Sequence, residues 1–225
     1  MPFHWKGSHT VSHYGLCTMK GNEPTISRTR FDELQARWGA HSSWAVWKTI
    51  GPEEKPKAHV GDRMILNPKI NAELLSVLNP EVVMVGLNAS SREGDTEPWG
   101  NFHDGRSEGN DFKIRFAFEG TPFWGAYMTD VLVNFPETDS RKVRAHVKAN
   151  PDIVAKQLDR LERELQHLGA TDPLLIAFGG LASDLVCRHL GDRYRVAKVT
   201  HYAHQIGKET YRAEVLEAIA RSSAE

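Results

Sequence analysis

The chain has 225 residues, of which 40% are hydrophobic, and this is enough for one main core with room for a small additional lobe. Lys and Arg number 28 against 29 Asp and Glu, so the formal net charge of −1 excludes a global basic field and leaves only a local patch for nucleic-acid binding. The two cysteines, Cys17 and Cys187, are too few for a four-cysteine metal site and argue against a disulfide framework.

No apolar run approaches the length that spans a membrane, and the first six residues lack the charged-then-apolar order of a signal peptide. We therefore expect a soluble, cytosolic monomer that uses no membrane partner and no cofactor.

The first part of the chain carries few regular patterns. Residues 1–27 have no clean period, whereas Phe31, Leu34 and Trp38 have helical spacing and predict a helix from about Arg28 to Arg37 that ends at Gly39. The segment around Trp44 is either a short strand or a turn of helix. We assign residues 1–61 to an N-terminal extension or small lobe, and residues 62–225 to the main α/β domain.

The stretch Glu81–Ser91 begins with a short apolar run and ends in small polar residues. The run Val82–Val85 predicts a parallel strand that is buried on both faces. After Gly86 the chain can approach a ligand closely, and open α/β sheets hold ligands at the carboxyl ends of their strands. Asn88 would then face a ligand there, or it would cap a turn, as Asn commonly does.

The rest of the chain alternates strands and helices. A polar stretch of about thirty residues after Ser91 has the composition of a long loop, and such loops are usually functional or disordered. Downstream of it we predict the strands 126–133, 174–178 and 195–200 and the helices 152–168, 181–190 and 208–220, and upstream of the first strand a helix over 71–78.

Several of these strand ends carry motifs in a fixed order. They are Gly86-Leu87-Asn88-Ala89-Ser90, Asn101-Phe102-His103, Tyr127-Met128-Thr129-Asp130, Ala177-Phe178-Gly179-Gly180 and His201-Tyr202-Ala203-His204. Over about residues 70–222 this series resembles the uracil-DNA glycosylase superfamily. The resemblance implies a three-layer α/β/α sandwich around a four-stranded parallel sheet, with a DNA-facing groove at the strand carboxyl ends.

The resemblance also implies residue roles, in which a flipped base in damaged DNA is the partner. Asn88 and His201 would be the catalytic pair. Gly86, Leu87, Ala89, Phe102 and Asp130 would bind the base, with Phe102 stacking on it and Asp130 contacting its edge. Ser90, Ser91, His204 and Gln205 would contact the DNA.

The chain departs from the family at several of these positions. Ala89 and Tyr202 stand where the family usually has a proline, so both loops lose a fixed φ angle. Asp130 stands where the family usually has Asn. An ionised Asp130 would prefer a base edge with two adjacent donors, whereas a protonated Asp130 would imitate Asn as donor and acceptor.

Other functions remain open. The same fold could serve a non-catalytic nucleobase- or nucleotide-binding protein, or an enzyme that acts on free nucleosides. His103, Asp104, His201 and His204 could form a metal site, although they lack a compact ligand spacing. The run 141–148 is either a solvated helix face or the best phosphate-contacting patch, and Arg193 with Arg195 is a second.

Overall fold

The computed structural model describes residues 25–89 and 97–222, which form a mixed α/β fold. The helices are α1 (Arg28–Trp38), α2 (Leu74–Val77), α3 (Phe112–Phe118), α4 (Ser140–Ala149), α5 (Pro151–Leu168), α6 (Gly180–Leu190) and α7 (Lys208–Ser222). The strands are β1 (Ser43–Trp44), β2 (Asn79–Asn88), β3 (Ala126–Leu132), β4 (Leu174–Phe178) and β5 (Val196–Val199). Across these two ranges no helix is both long and apolar enough to cross a membrane.

The strands form one five-stranded sheet in the order β1-β3-β2-β4-β5. Strands β2 to β5 are parallel, as predicted, whereas β1 pairs antiparallel with β3. The prediction of four strands, all parallel, is therefore wrong at this edge. Strand β1 has only two residues, too few to show an alternation of apolar and polar residues in the sequence. Trp44 holds it in place, because this side chain is fully buried with its ring 5.0 Å from that of Tyr127.

Helices cover both faces of the sheet, and the side chains of β2 alternate between the two cores. Val83 and Val85 pack with residues of α1, α4, α5 and α6, whereas Val82 and Met84 pack with residues of α3 and α7. This alternation of apolar side chains confirms that 82–85 is a strand buried on both faces.

The ends of α1 and α5 carry residues that commonly cap helices. The Ser27 hydroxyl accepts a hydrogen bond from the Arg30 amide at the start of α1, and Gly39 ends that helix. Gly169 ends α5 with a φ of 77°, which favours glycine. Two predictions need correction: α2 is shorter than the predicted 71–78, and the stretch predicted as a loop contains α3.

The described part of the predicted extension, residues 25–61, packs against the same sheet through β1 and α1. It is also held by Arg115 of α3, which is buried. The Arg115 guanidinium donates to the backbone carbonyls of Pro56 and Ala58 at 2.6 and 2.8 Å. Desolvation lowers the pKa of Arg115, and the carbonyl oxygens replace the water that its charge would otherwise bind.

A buried ion pair joins α5 to the end of β3. Arg160 pairs with Glu164, whose carboxylate is fully buried and also accepts a hydrogen bond from the Tyr127 hydroxyl at 2.7 Å. The Arg160 guanidinium donates to the backbone carbonyls of Asp130 and Val131 at 2.6 and 3.3 Å. The pair therefore fixes the last residues of β3.

Replacing Glu164 by Gln should reduce the free energy of unfolding by about 3 kcal/mol, because it leaves the Arg160 charge buried without a counterion. Asp159→Asn is the matched control on the same helix, since Asp159 is half exposed and its pairing with His189 should contribute less than about 1 kcal/mol. Urea unfolding of both variants measures the difference, and equal losses would contradict this account of the buried pair.

Candidate functional site

The main candidate site is a cavity of about 520 Å³ at the carboxyl ends of the parallel strands. Every parallel strand contributes residues at its carboxyl end or directly after it: Leu87, Asn88 and Ala89 from β2, Asp130 from β3, Phe178 and Gly179 from β4, and His201 and Tyr202 after β5. Parallel strands all end at the same edge, so residues distant in sequence meet here. The two predicted catalytic residues line one cavity.

Asn88 is held by its amide nitrogen. Its Nδ2 donates to the backbone carbonyls of Ala89, Phe135 and Glu137 at 3.0, 3.1 and 2.8 Å. Its side-chain oxygen has no hydrogen-bond partner within residues 25–89 and 97–222. Asn88 therefore presents a fixed acceptor at the cavity.

His201, in contrast, offers a hydrogen-bond donor. Its Nδ1 lies 3.1 Å from the backbone amide of Ala203, which can only donate, so Nδ1 is the acceptor and the ring proton lies on Nε2. Burial lowers the pKa of His201 from 6.5 to about 4, which makes the ring neutral at pH 7. Its ring stacks on that of Tyr202 at 4.3 Å.

Asp130 lies directly beside Gly86, its register partner in the adjacent strand. An added Cβ at Gly86 would lie only 2.2 Å from Asp130 Oδ1, so any side chain here would displace the Asp130 carboxylate. Asp130 Oδ2 accepts a hydrogen bond from Asn101 Nδ2 at 2.8 Å, and Asn101 also donates to the carbonyl of His41. Asp130 is thus at the cavity, but only 2% exposed.

Phe102 does not line the cavity. It is 2% exposed and belongs to the core on the α3 and α7 face, with its ring edge-on to Tyr202 at 6.3 Å. His103 is also buried, with its ring nitrogens 3.3 and 3.2 Å from the carbonyls of Val60 and Trp44. Of the aromatic side chains at the cavity, Tyr202 is half-buried and Phe178 almost wholly buried, so the stacking role predicted for Phe102 fits Tyr202 better.

The predicted DNA-contacting residues are placed in part. Ser90 and Ser91 lie outside the described residues. His204 and Gln205 are exposed on the loop after His201, and His204 lines a second cavity of about 660 Å³ that also includes His201. The Lys113 ammonium holds this loop by donating to the His204 carbonyl at 2.7 Å.

Two segments that were not predicted to line the site complete the cavity walls. One is 104–111, which brings Asp104, Arg106, Glu108 and Asp111, and the other is 137–143, around the start of α4. The backbone amide of Asp139 lowers the pKa of Glu137, which therefore stays ionised. Among the described residues no group of three or more His, Cys, Asp or Glu side chains could hold a metal ion.

Comparisons with protein-family models, with curated proteins and with solved structures find no match to this chain.

We expect Gly86→Ala to cost about 1–3 kcal/mol of folding free energy, because its methyl group would displace the Asp130 carboxylate. Gly180→Ala is the control: a Cβ there meets nothing within 4 Å, so the variant should fold with wild-type stability. Thermal unfolding compares them, and a Gly86→Ala protein as stable as Gly180→Ala would show that the close approach is not required.

The His201 pKa also predicts how stability depends on pH. The ring takes up a proton near pH 6.5 in the unfolded chain but only near pH 4 in the folded one, so acidification favours unfolding within this window. Stability should fall by up to about 3 kcal/mol as the pH drops from 6.5 to 4. In urea unfolding, His201→Asn should remove this component, and an unchanged pH profile would mean that the His201 pKa is not lowered.

Proposed function

We propose that the protein is a DNA glycosylase that flips a damaged or deaminated base, uracil or a related one, and hydrolyses its N-glycosidic bond. The observation that supports this most is the pairing at one cavity of Asn88, a fixed acceptor, with His201, a neutral donor. Glycosidic hydrolysis needs both, because a water must be positioned at the sugar and negative charge must be stabilised on the leaving base.

Asn88 would position the water. The three carbonyls that accept from Nδ2 leave its side-chain oxygen to accept a hydrogen bond from a water below C1′. An amide cannot take up the water proton, so Asn88 orients the nucleophile without deprotonating it. We therefore infer a slower reaction than a carboxylate would support.

His201 would stabilise the departing base. Its Nε2–H can donate to a base carbonyl oxygen, and this bond strengthens as negative charge accumulates there. A neutral ring suits this role, because the Nδ1 acceptor that fixes its orientation is kept only while the ring is unprotonated.

Asp130 would contact the base edge. Asn101 donates to Oδ2, and a protonated Asp130 would be both a donor and an acceptor, as Asn is. In that state the carboxyl offers a donor to a uracil-like edge. When ionised, it favours an edge with adjacent donors, as in guanine-like bases.

A second candidate function is a nucleobase- or nucleotide-binding protein without glycosylase activity. The formal net charge of −1 and the absence of the family's prolines at positions 89 and 202 favour it. The ordered arrangement of Asn88 and His201 favours the enzyme.

The test is base release from labelled oligonucleotides that carry uracil, hypoxanthine, xanthine or mismatched thymine, followed by alkaline cleavage of abasic sites. Asn88→Ala and His201→Ala should each lower the single-turnover rate at least about 100-fold while the variants still unfold cooperatively in a thermal melt. Asn79→Ala, at the opposite end of β2, is the control and should keep the rate.

Asn88→Asp should also lose activity, because a carboxylate oxygen would replace the nitrogen that donates to three carbonyls. Absence of release from every substrate would contradict the proposed enzyme. A faster Asn88→Asp variant would contradict the role assigned to the amide nitrogen.

A further inference from the structure

The orientation of the Asn88 amide depends on a loop outside the strand that carries it. An Asn side chain can rotate about its last bond and exchange the places of its nitrogen and oxygen. Two of the three carbonyls that accept from Nδ2, those of Phe135 and Glu137, lie in the loop between β3 and α4. The contact with Glu137, at 2.8 Å, is the shortest of the three. This loop therefore decides where the Asn88 oxygen points.

The first part of this loop is held by ring packing and by a proline. The Phe135 ring stacks on the His146 ring of α4, with the two centroids 3.9 Å apart. Pro136 follows, and its ring fixes its own φ angle and restricts the residue before it. The chain therefore has little freedom between the carbonyls of Phe135 and Glu137.

The second part of the loop is held by the side chain of Glu137. Its Oε1 accepts hydrogen bonds from the backbone amides of Thr138 and Asp139 at 2.8 and 2.9 Å. Its Oε2 lies 3.3 Å from the exposed ammonium of Lys142, a contact that contributes little by itself. The Glu137 carboxylate thus closes a turn beside the carbonyl that accepts from Asn88.

Glu137 lines the cavity, so its carboxylate is also a candidate to accept the proton of the attacking water. Its contacts oppose this role, because one oxygen accepts two amide hydrogen bonds and the other faces an ammonium group. The backbone amide of Asp139, and after it the Lys142 side chain, lower the pKa of Glu137, which makes it a weaker proton acceptor. The carboxylate is arranged to hold the turn.

We propose that Glu137 is a positioning residue, whose carboxylate fixes the carbonyl that orients the Asn88 amide and so aims the Asn88 oxygen into the cavity. The use of that oxygen in hydrolysis rests on the proposed function, whereas the orientation of the amide does not. Gln at position 137 can accept the same two amide hydrogen bonds through its side-chain oxygen, but Ala cannot. The role therefore requires an acceptor at position 137 and no charge.

Hydrogen exchange of the Asn88 side-chain amide tests this orientation in the full chain. In protein labelled with ¹⁵N, the two Asn88 amide protons are assigned by their absence from the spectrum of Asn88→Ala, and their exchange with water is measured. Glu137→Ala should accelerate this exchange at least about tenfold, because one of the three acceptors loses its fixed position. Glu137→Gln should stay within about threefold of the wild type, because it keeps the turn closed.

The matched control is Glu54→Ala. The Glu54 carboxylate also accepts a backbone amide, that of Gly51 at 2.6 Å, and also contacts a basic side chain, His59, but Glu54 does not line the cavity. Exchange of the Asn88 amide should keep its wild-type rate in this variant. Wild-type exchange in Glu137→Ala, or an equal acceleration in Glu54→Ala, overturns the proposal.

Base release from the oligonucleotide panel distinguishes positioning from a chemical role of the carboxylate. Glu137→Ala should lower the saturating single-turnover rate at least about tenfold and leave the half-saturating concentration unchanged, because a misplaced acceptor affects the reaction and not binding. Glu137→Gln should restore the rate to within about threefold of the wild type. A Glu137→Gln protein as slow as Glu137→Ala, with wild-type exchange at Asn88, overturns the positioning role and assigns the effect to the charge.

The two readouts also separate this inference from the proposed function. If the wild type releases no base from any substrate while the exchange rates change as expected, the glycosylase is contradicted and the positioning of Asn88 by Glu137 is supported. If the wild type releases a base and Glu137→Ala releases it equally fast, the positioning role is overturned and the glycosylase is supported.

Discussion

The close approach of Gly86 to Asp130 is the constraint on which the site depends. The Asp130 carboxylate occupies space that any side chain at position 86 would need, so glycine there lets β2 and β3 pair in this register without displacing that carboxylate. Residues two apart in a strand face the same way, so this register also aligns Asn88 with the side of the sheet that carries Asp130. The Phe102 ring packs on the same glycine, which explains why this aromatic residue supports the cavity from the core and does not line it.

Buried or partly buried cations hold the segments around this constraint, and they do so mainly through backbone carbonyls. Arg160 fixes the end of β3, Lys113 fixes the loop that carries His201, and Arg115 fixes the segment before Gly61. Each of these charged groups loses contact with water and binds carbonyl oxygens instead. Those carbonyl oxygens would otherwise be buried without a hydrogen-bond donor. Such contacts add little net stability, but a loop held in this way keeps one conformation. The cavity is therefore formed by segments that are distant in sequence yet individually fixed.

These contacts between distant segments could not be predicted from the sequence, whereas several strands and helices could. The apolar run 82–85, the period of α5 and its final Gly169 predicted strands and a helix, and parallel strand ends predicted that Asn88 and His201 share a cavity. Helix α3 was missed because Phe112-Lys113-Ile114-Arg115-Phe116 alternates apolar and charged residues, a pattern typical of a strand. Its two cations are buried against carbonyls 91 and 57–67 residues away in the chain, and no local pattern contains such partners.

The two interpretations of Asn88 that the sequence left open are compatible. Capping a turn uses a side chain to satisfy nearby backbone groups, and Nδ2 does this for three carbonyls in the turns after β2 and β3. Positioning a water uses the other end of the same amide, the oxygen. The hydrogen bonds of the amide nitrogen therefore also orient the side-chain oxygen, because each of the three carbonyls that binds the nitrogen restricts where the oxygen can point. An amide has a donor and an acceptor on one planar group and can fill both roles, whereas an ionised carboxylate has acceptors only.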